Sequence, residues 1–306
     1  MLAFLKRKYG SYWQLYTFLM LPVAYIIVFN YIPMVGAQIA FKKFNIMQGI
    51  WDSPWVGLKN FYKFFSAYQF QRVFANTLTL SIYSILAAFP FPILFALMLN
   101  TIERLRYKKL IQTVTYIPHF ISTVVLVGML MQIFHPLTGV YGVIAKMLTG
   151  SVPQDLFALP QVFPHLYVWS GVWQTFGYSS IIYIAALTNV SAELHEAAEV
   201  DGAGRFKRVL HIDLPALLPT IIIMLILRTG SILSIGFEKA FLMQNTLNLS
   251  KSEIISTFVY KKGLASGASN DYSYSAAIGM FNSVVNLIMI TLVNAIARKC
   301  GESSLW

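Results

Sequence analysis

The chain has 306 residues, of which 57% are hydrophobic and only 11% are charged, and its formal net charge is +11 at pH 7. Soluble domains carry roughly 25% charged residues, so this composition indicates an integral membrane protein. The basic residues lie beside apolar runs instead of gathering on one face, which argues against a nucleic-acid-binding protein. A single cysteine, Cys300, excludes an intramolecular disulfide and any metal site built on cysteine spacing.

Six runs of roughly 20 mainly apolar residues, the length that crosses the hydrocarbon core of a bilayer, recur along the chain. They lie near 15–36, 76–99, 111–134, 163–187, 217–237 and 276–297. The first run has the basic flank of a signal peptide, but it is longer than a signal-peptide core, so we predict an uncleaved first span. The pattern predicts an all-α integral membrane fold with six transmembrane helices.

The basic residues also predict the orientation of these spans, because Lys and Arg are retained on the cytoplasmic side. Dense basic clusters occur in short segments at 6–8, 104–109, 205–208 and 298–299. These segments are predicted to lie inside, with both the N-terminus and the C-terminus in the cytoplasm. Lys42 and Lys43, beside the first span, are contrary evidence.

A charged, glycine-containing stretch, EAAEVDGAGRFKRVLHIDLP, separates the fourth and fifth runs and is predicted to lie inside. Residues 191–200 predict a short helix with Glu193 near its start, where an acidic group interacts favourably with the helix dipole. Leu194, Ala197 and Ala198 share one face of that helix, beside an acidic edge formed by Glu193, Glu196 and Glu199. This surface is predicted either to dock into a groove on another protein or to rest on lipid headgroups as an ordinary connector.

The rest of this stretch predicts a turn and a second short helix. Gly202 and Gly204 permit a sharp turn, because glycine adopts positive φ without steric cost. The second helix, RFKRVLHI, is predicted to lie along the membrane surface. Pro215 and Pro219 are predicted to end it and to start the fifth span, since a first helical turn tolerates proline.

The spacing in this stretch resembles the EAA signature loop of permease subunits of binding-protein-dependent ABC transporters. EAA is followed by three residues, Gly202, nine residues, Ile212, one residue, Leu214 and Pro215. Further segments, including TVTYIPHFIS, IIYIAALTNV and EIISTFVY, are similar to the branch that imports oligosaccharides in Gram-positive-type bacteria. The resemblance covers nearly the whole chain.

This resemblance implies a type I ABC importer permease fold, maltose-permease-like, with cytoplasmic coupling helices, in the bacterial cytoplasmic membrane. It implies three regions: an N-terminal tail, first span and extracytoplasmic segment at 1–72, a five-helix core at 73–297 with the EAA loop at 190–216, and a cytoplasmic tail at 298–306. The loop is expected to insert into a cleft on an ATPase. The residues that carry over to it are Glu196, Ala197, Ala198, Asp201, Gly202, Ile212, Leu214 and Pro215.

The implied partners are a second, non-identical permease subunit, two cytoplasmic ABC ATPase subunits, an extracytoplasmic solute-binding protein, the sugar and membrane lipid, with no nucleic acid. The chain contains no GxxxxGK[ST] phosphate loop, so ATP and Mg are expected on a separate ATPase chain and no cofactor on this one. The string HEAAE ends in Glu199 instead of the second histidine of HExxH, and no metal site is predicted.

Polar and aromatic groups inside the runs are the candidates for the solute path, because polar side chains in a span need a cavity or a partner. Arg228 suits an acidic sugar such as a uronate, but contact with the second permease explains it equally well. The remaining candidates form the run-four group of Trp169, Trp173, Gln174 and Tyr178, together with Asn282 in run six. For both groups, helix packing is the competing interpretation.

The predicted function is therefore that of a transmembrane subunit, without enzymatic activity of its own, that passes an oligosaccharide from a binding protein into the cytoplasm. Two alternatives stay open. An ion-coupled secondary transporter would need buried acids or interrupted repeats. A membrane enzyme acting on lipid-linked sugars would need convergent carboxylates or histidines near one membrane face.

Overall fold

The computed structural model describes residues 12–265, 267 and 270–299. Within these residues the protein is helical, and extended pairing is limited to the isolated bridges Lys42–Trp55 and Asn45–Gly49. The basic cluster at 6–8, Cys300 and the tail beyond Lys299 lie outside the described residues.

The helices follow one another in the order α1 (Trp13–Ile26), α2 (Ile32–Met34), α3 (Gly49–Asp52), α4 (Lys59–Phe65), α5 (Tyr68–Ala88), α6 (Pro90–Asn100), α7 (Leu105–Tyr116), α8 (Thr123–Ile133) and α9 (Val140–Thr149). The second half contains α10 (Phe163–Ser179), α11 (Ile181–Leu187), α12 (Ala192–Val200), α13 (Arg205–Arg208), α14 (Leu214–Gly230), α15 (Phe237–Met243), α16 (Leu249–Ser252), α17 (Ile255–Gly263) and α18 (Tyr272–Lys299). Short π and 3₁₀ segments connect several of them.

Four continuous helical stretches in the described part of the chain are long and apolar enough to cross a membrane. They are Trp13–Phe41, Tyr68–Asn100, Arg205–Gly230 and Tyr272–Lys299. The first, second and sixth predicted runs lie inside three of these stretches. The fifth does not, because its helix starts at Arg205 and ends at Gly230, whereas the predicted run was 217–237.

The third and fourth predicted runs are interrupted. The helical stretches Leu105–Phe120 and Thr123–Ile133 meet at an angle of 96°, and counting them as one bent span gives five spans. The Ser122 hydroxyl accepts a hydrogen bond from the Val125 N–H and so starts α8 in a new direction. The run 163–187 is divided at Ser180 into α10 and α11. By length and composition, the predicted count of six is therefore met only approximately.

The described residues fall into two compact units. The smaller one comprises Met1–Ala67 and Val259–Phe281 as far as they are described. Lys42 is buried in this unit and donates hydrogen bonds to the Ile50 carbonyl at 2.7 Å and the Trp51 carbonyl at 3.0 Å. Its ammonium also lies 5.0 Å from the centre of the Trp55 ring. These contacts satisfy a buried charge and fix the loop that follows the first apolar helix.

The larger unit comprises Tyr68–Phe258 and Asn282–Trp306, again as far as they are described. Helix α10 lies at its centre and packs against α5, α6, α7, α15 and α16. The main core surrounds α10 and includes Leu80, Val127, Phe163, Val168, Val172 and Met243. A second core forms where α6, α11 and α14 meet, around Ala96, Tyr183 and Leu217. The EAA loop and a cavity beside α10 both belong to this unit.

Candidate functional site

Helix α12 forms the first half of the EAA loop and lies almost entirely at the surface. The Ser191 hydroxyl caps its start by accepting a hydrogen bond from the Glu193 N–H at 3.2 Å. No residue of the helix is buried, and Leu194 is 56% exposed. Leu194 and Ala197 are therefore exposed on a helix face that the described part of the chain leaves open, beside the half-buried Ala198.

The turn after α12 has a defined backbone geometry. Gly202 has φ of 76°, in the left-handed region. The Gly202 N–H donates to the Glu199 carbonyl at 3.0 Å, and the Ala203 N–H donates to the Ala198 carbonyl at 2.8 Å. These two bonds form a Schellman motif, which ends the helix and satisfies carbonyls that would otherwise lack a partner. A glycine at this position is needed because side chains with a Cβ are strained at such a φ.

The second half of the loop differs from the prediction of a separate short helix ended by prolines. The chain from Arg205 to Gly230 forms one continuous helix, in which Val209–Asp213 is a π turn leading directly into α14. The Leu214 N–H donates to the Val209 carbonyl in the i→i+5 pattern of that turn. Pro215 follows at the first turn of α14, where its missing N–H costs little. The wider turn thus carries the helix through the proline instead of ending there.

A buried carboxylate lies at the base of the loop. Asp213 is 2% exposed, and its Oδ1 atom lies 3.2 Å from His195 Nε2 on α12 and 3.2 Å from Asn100 Nδ2 at the end of α6. One carboxylate therefore links the loop helix, the start of α14 and α6. Sequence reasoning missed this role; the available signal was an acid immediately before the apolar run of the fifth span.

Two ion pairs at or near the surface also link the parts of the loop to one another and to their surroundings. Arg208 Nη1 lies 3.0 Å from Glu199 Oε2, within the loop itself. Arg205 Nη2 lies 2.5 Å from Glu103 Oε1 in the connection between α6 and α7. Because Arg205 and Glu103 are largely exposed, solvent screening makes their pairing weak compared with the contacts of Asp213.

The structure brings the predicted loop residues together in one segment. Glu196, Ala197, Asp201 and Gly202 are exposed, and Ala198 is half-buried, on α12 and its turn. Ile212 and Leu214 are half-buried, whereas Pro215 is exposed, on the helix that follows. The residues on α12 and its turn are thus mostly available to a partner, whereas Ile212 and Leu214 pack partly inside the protein at the base of the loop.

A cavity of about 490 Å³ lies beside α10 in the larger unit. Its walls come from α5, α6, α8, α10, α11, α14 and α15 and the residues between the last two, and its lining is mixed polar and apolar. The polar lining residues that matter most are Ser81, Ser84, Gln174, Arg228, Glu238 and Lys239. A volume of this size falls in the range of small-molecule sites.

Lys239 is the least expected of these residues, because it is only 9% exposed. Its Nζ donates a hydrogen bond to the Tyr167 carbonyl at 2.7 Å and lies 5.0 Å from the centre of the Tyr167 ring. A Cβ at Gly171 would lie 3.2 Å from that nitrogen, so the missing side chain makes room for the ammonium. Lys239 lies on α15, outside the spanning stretches, and burial lowers its pKa to about 7.

The predicted solute-path residues divide into two groups. Gln174 and Arg228 line the cavity, and the Gln174 side-chain amide also donates to the Ile121 carbonyl at 2.9 Å. The other four do not line it. Trp169 donates to the Tyr83 hydroxyl at 2.8 Å, Tyr178 stacks on His119 with the ring centres 3.8 Å apart, and Trp173 is 46% exposed.

Asn282 does not line the cavity itself but contacts a residue that does: its Nδ2 atom lies 3.5 Å from the hydroxyl of Ser234, which is a lining residue. Sequence reasoning missed Lys239, because it lies just beyond the predicted fifth run, 217–237. In the described part of the chain, no cluster of three or more His, Cys, Asp or Glu side chains is suited to hold a metal ion.

Comparison with known proteins decides the family. Residues 64–301 match the family model described as "Binding-protein-dependent transport system inner membrane component". The chain belongs to this family. It is 42% identical over 292 residues to protein LplB of Bacillus subtilis (strain 168), covering 95% of this chain and 91% of LplB.

Two further similarities extend over essentially the whole chain. The permease is 38% identical to the polygalacturonan/rhamnogalacturonan transport system permease protein YteP of Bacillus subtilis (strain 168), covering 100% of this chain and 92% of YteP. It also resembles a chain of the crystal structure of a bacterial alginate ABC transporter in complex with alginate pentasaccharide-bound periplasmic protein. That similarity has a TM-score of 0.87 at 35% identity and covers 98% of this chain and 99% of the other.

These findings confirm the predicted family and fold class. The protein is an all-helical, multi-pass permease of the type I ABC importer fold in the inner membrane, and it is a transport subunit and not an enzyme. Family membership excludes the two alternatives, a self-contained ion-coupled transporter and an enzyme acting on lipid-linked sugars. The cytoplasmic position of the two termini stays a prediction.

Proposed function

We propose that this permease forms, with a second and non-identical permease subunit, the pathway through which an oligosaccharide enters the cytoplasm. A binding protein outside delivers the sugar, and two ABC ATPase subunits inside bind ATP and Mg and drive the conformational change. This chain performs no covalent chemistry. Its own contributions are the pathway wall and the EAA loop that receives motion from an ATPase.

The observation that carries this proposal is the exposed, locally rigid EAA loop in a chain that matches sugar permeases from end to end. Leu194 and Ala197 are exposed on α12, and this helix is fixed at both ends by the Ser191 cap and the Gly202 turn. A rigid element with an open apolar face suits the groove of a partner, because little further ordering is needed on binding.

The residues of the EAA loop have two different roles in this proposal. Glu196, Ala197, Ala198, Asp201 and Gly202 form the part that enters the ATPase cleft. Ile212, Leu214 and Pro215 belong to the start of the long helix that moves with it. The predicted orientation, with this loop and both termini in the cytoplasm, is part of the same proposal.

The sugar assignment is supported by the relatives, since YteP and the alginate transporter are named for sugar polymers. Gln174 and Arg228, which line the cavity, are the solute-path candidates of first rank. Trp169, Trp173, Tyr178 and Asn282 are of second rank, because they lie beside the cavity walls and contact solute only if the cavity opens further. The proposed core at 73–297 is close to the region matched by the family model, 64–301.

The test is to isolate the tagged permease from its native membranes in mild detergent and to determine the identity and stoichiometry of the subunits recovered with it. We expect one second permease and two ATPase chains per tagged chain. Reconstituted with the binding protein, the complex should take up oligosaccharide only when ATP is enclosed. Recovery of this chain alone, with solute uptake that needs no ATP, would contradict the proposal.

A further inference from the structure

The cavity beside α10 contains a buried cation with no acidic partner. In the described part of the chain, no carboxylate lies within 4.0 Å of Lys239 Nζ, and its one hydrogen bond goes to the Tyr167 carbonyl. An ammonium group has three N–H donors, so two of them are uncommitted. Burying a cation without a counter-ion costs several kcal/mol, so this arrangement is expensive unless an anion compensates it.

A second cation lines the same cavity. Arg228, near the end of α14, makes no ion pair or side-chain hydrogen bond with any other described residue. Glu238 is the single acid among the lining residues, and it lies more than 4.0 Å from the cationic groups of both. The cavity therefore has an excess of positive charge, which favours an anionic solute.

The remaining polar lining suits a sugar. Ser84, Thr123 and Ser234 provide hydroxyl groups, and Gln174 provides an amide, along walls that also contain apolar side chains. Hydroxyl and amide groups pair with sugar hydroxyls, whereas neither neutralises a charge. The positive charge of the cationic pair is thus the feature of this cavity that a neutral oligosaccharide cannot neutralise.

We propose that the cavity binds the carboxylate of an acidic sugar unit, with Lys239 as its ion-pair partner and Arg228 as a second, more exposed cation. The solute of this permease is then an oligouronide and not a neutral oligosaccharide. Lys239 is the specificity-determining residue, because it is buried and its described surroundings hold no carboxylate within ion-pair distance. This inference rests on the proposed function and names its substrate class.

The competing role for Lys239 is structural, since its hydrogen bond to Tyr167 ties α15 to α10. The two roles make different predictions. Loss of a structural tie reduces assembly or stability and affects all solutes equally. Loss of a carboxylate-binding group affects acidic solutes and leaves assembly intact.

The experiment uses the complete complex with its binding protein in proteoliposomes that enclose ATP. The probes are two sets of oligosaccharides, each from trimers to hexamers. The acidic set consists of oligouronides of galacturonate or of mannuronate, and the neutral set consists of oligomers of galactose or of mannose. Uptake of each set is quantified by mass spectrometry. We expect uptake of at least one oligouronide set and at least tenfold less uptake of the neutral set.

The variants then test the two cations. We expect K239M to lower oligouronide uptake at least tenfold, and K239R to restore a large part of it. K146M is the matched control, because Lys146 is an exposed lysine on α9 that does not line the cavity, and its uptake should equal that of the unmodified complex. R228Q should lower oligouronide uptake severalfold. Since Arg228 makes no ion pair or side-chain hydrogen bond with another described residue, this variant also decides the matter if K239M does not assemble.

Subunit recovery and melting temperature of each purified complex measure the structural role. Uptake of neutral sugars alone would overturn the acidic-solute proposal and leave the proposed function standing. Unchanged oligouronide uptake by both K239M and R228Q would also overturn it. So would a second result: K239M loses uptake and also assembles poorly, while R228Q transports normally. ATP-dependent uptake of neither set would contradict the proposed function itself.

Discussion

The EAA loop and the cavity beside α10 belong to the same unit but are specified in opposite ways. The loop is built from residues close in sequence, with a serine cap, a short helix, a glycine in the left-handed region and a π turn. The cavity is built from seven helices and joins Ser81 to Lys239 across most of the unit. The loop is exposed and is suited to dock with a partner protein, whereas the cavity contains a buried lysine that is suited to bind an anionic group.

This difference predicts how substitutions in each part affect transport. A change in the loop acts through the local backbone and should affect energy coupling for every solute. A change in the cavity acts through burial and charge and should depend on which solute is offered. The predictions below test this distinction, beginning with the largest expected effect.

Replacing Gly202 with valine should reduce ATP-driven uptake about tenfold or more. No atom lies within 4 Å of a Cβ at this position, so the effect comes from backbone strain and not from a clash. A left-handed conformation costs about 1–2 kcal/mol for a residue with a Cβ, and a β-branched residue adopts it least readily. Uptake and the amount of ATPase recovered per permease measure the result.

The control for this variant is G202N, because asparagine tolerates the left-handed region better than other side chains. It should retain most of the uptake. Normal transport by G202V, with membrane insertion unchanged in both variants, would show that the turn is not the coupling joint.

Replacing Asp213 with alanine should weaken the base of the loop and lower ATPase recovery severalfold. A hydrogen bond to a buried charged group contributes about 1.5–3 kcal/mol, and this carboxylate holds both His195 and Asn100. The melting temperature of the permease should fall as well. D213N, which keeps a carbonyl oxygen as an acceptor, should lie between D213A and the unmodified protein; equal ATPase recovery from all three would rule out this role for Asp213.

Raising the pH from about 7 to 8 should increase the apparent KM for an oligouronide severalfold, if Lys239 binds its carboxylate. A lysine is charged below its pKa, and burial lowers the pKa of Lys239 to about 7, so its positive charge is lost as pH rises through this range. The other titratable groups facing the cavity are Tyr167 on α10, Tyr183 on α11, Arg228 on α14 and Glu238 on α15. Helix α8, which also packs against α15, contributes none.

K239R separates this effect from the pH dependence of the other subunits. Arginine stays protonated throughout the range, so the KM of this variant should be flat where that of the unmodified complex rises. Parallel pH profiles for the two complexes would mean that Lys239 does not titrate during solute binding.

Replacing Arg205 with alanine should have the smallest effect, less than about twofold on uptake. Its ion pair with Glu103 is exposed, and such pairs contribute about 0.2–1 kcal/mol before screening by salt. Uptake at low and high ionic strength measures the contribution. A tenfold loss would indicate that Arg205 contacts the ATPase directly, which would extend the docking surface beyond α12.

The EAA loop was largely predictable from the sequence, because helix capping and a left-handed glycine are local effects. Residues 191–200 predicted a helix, and α12 occupies Ala192–Val200. The second half was predicted wrongly, since a proline after a polar segment normally starts a new helix. The π turn at Val209–Asp213, which lets the helix continue, leaves no clear pattern in the residues.

For the protein as a whole, the membrane class, the family and the approximate position of most apolar runs follow from the residues in order, because hydropathy and motif spacing are properties of contiguous residues. The 96° bend before Thr123, the division at Ser180 and the burial of Asp213 and Lys239 depend on how distant segments pack. Burial depends on which helices pack together, and Lys239 in a polar segment gave no sign that it would lie against the backbone of α10. Whether a charge is solvated or held in a cavity is fixed by residues far away in the chain.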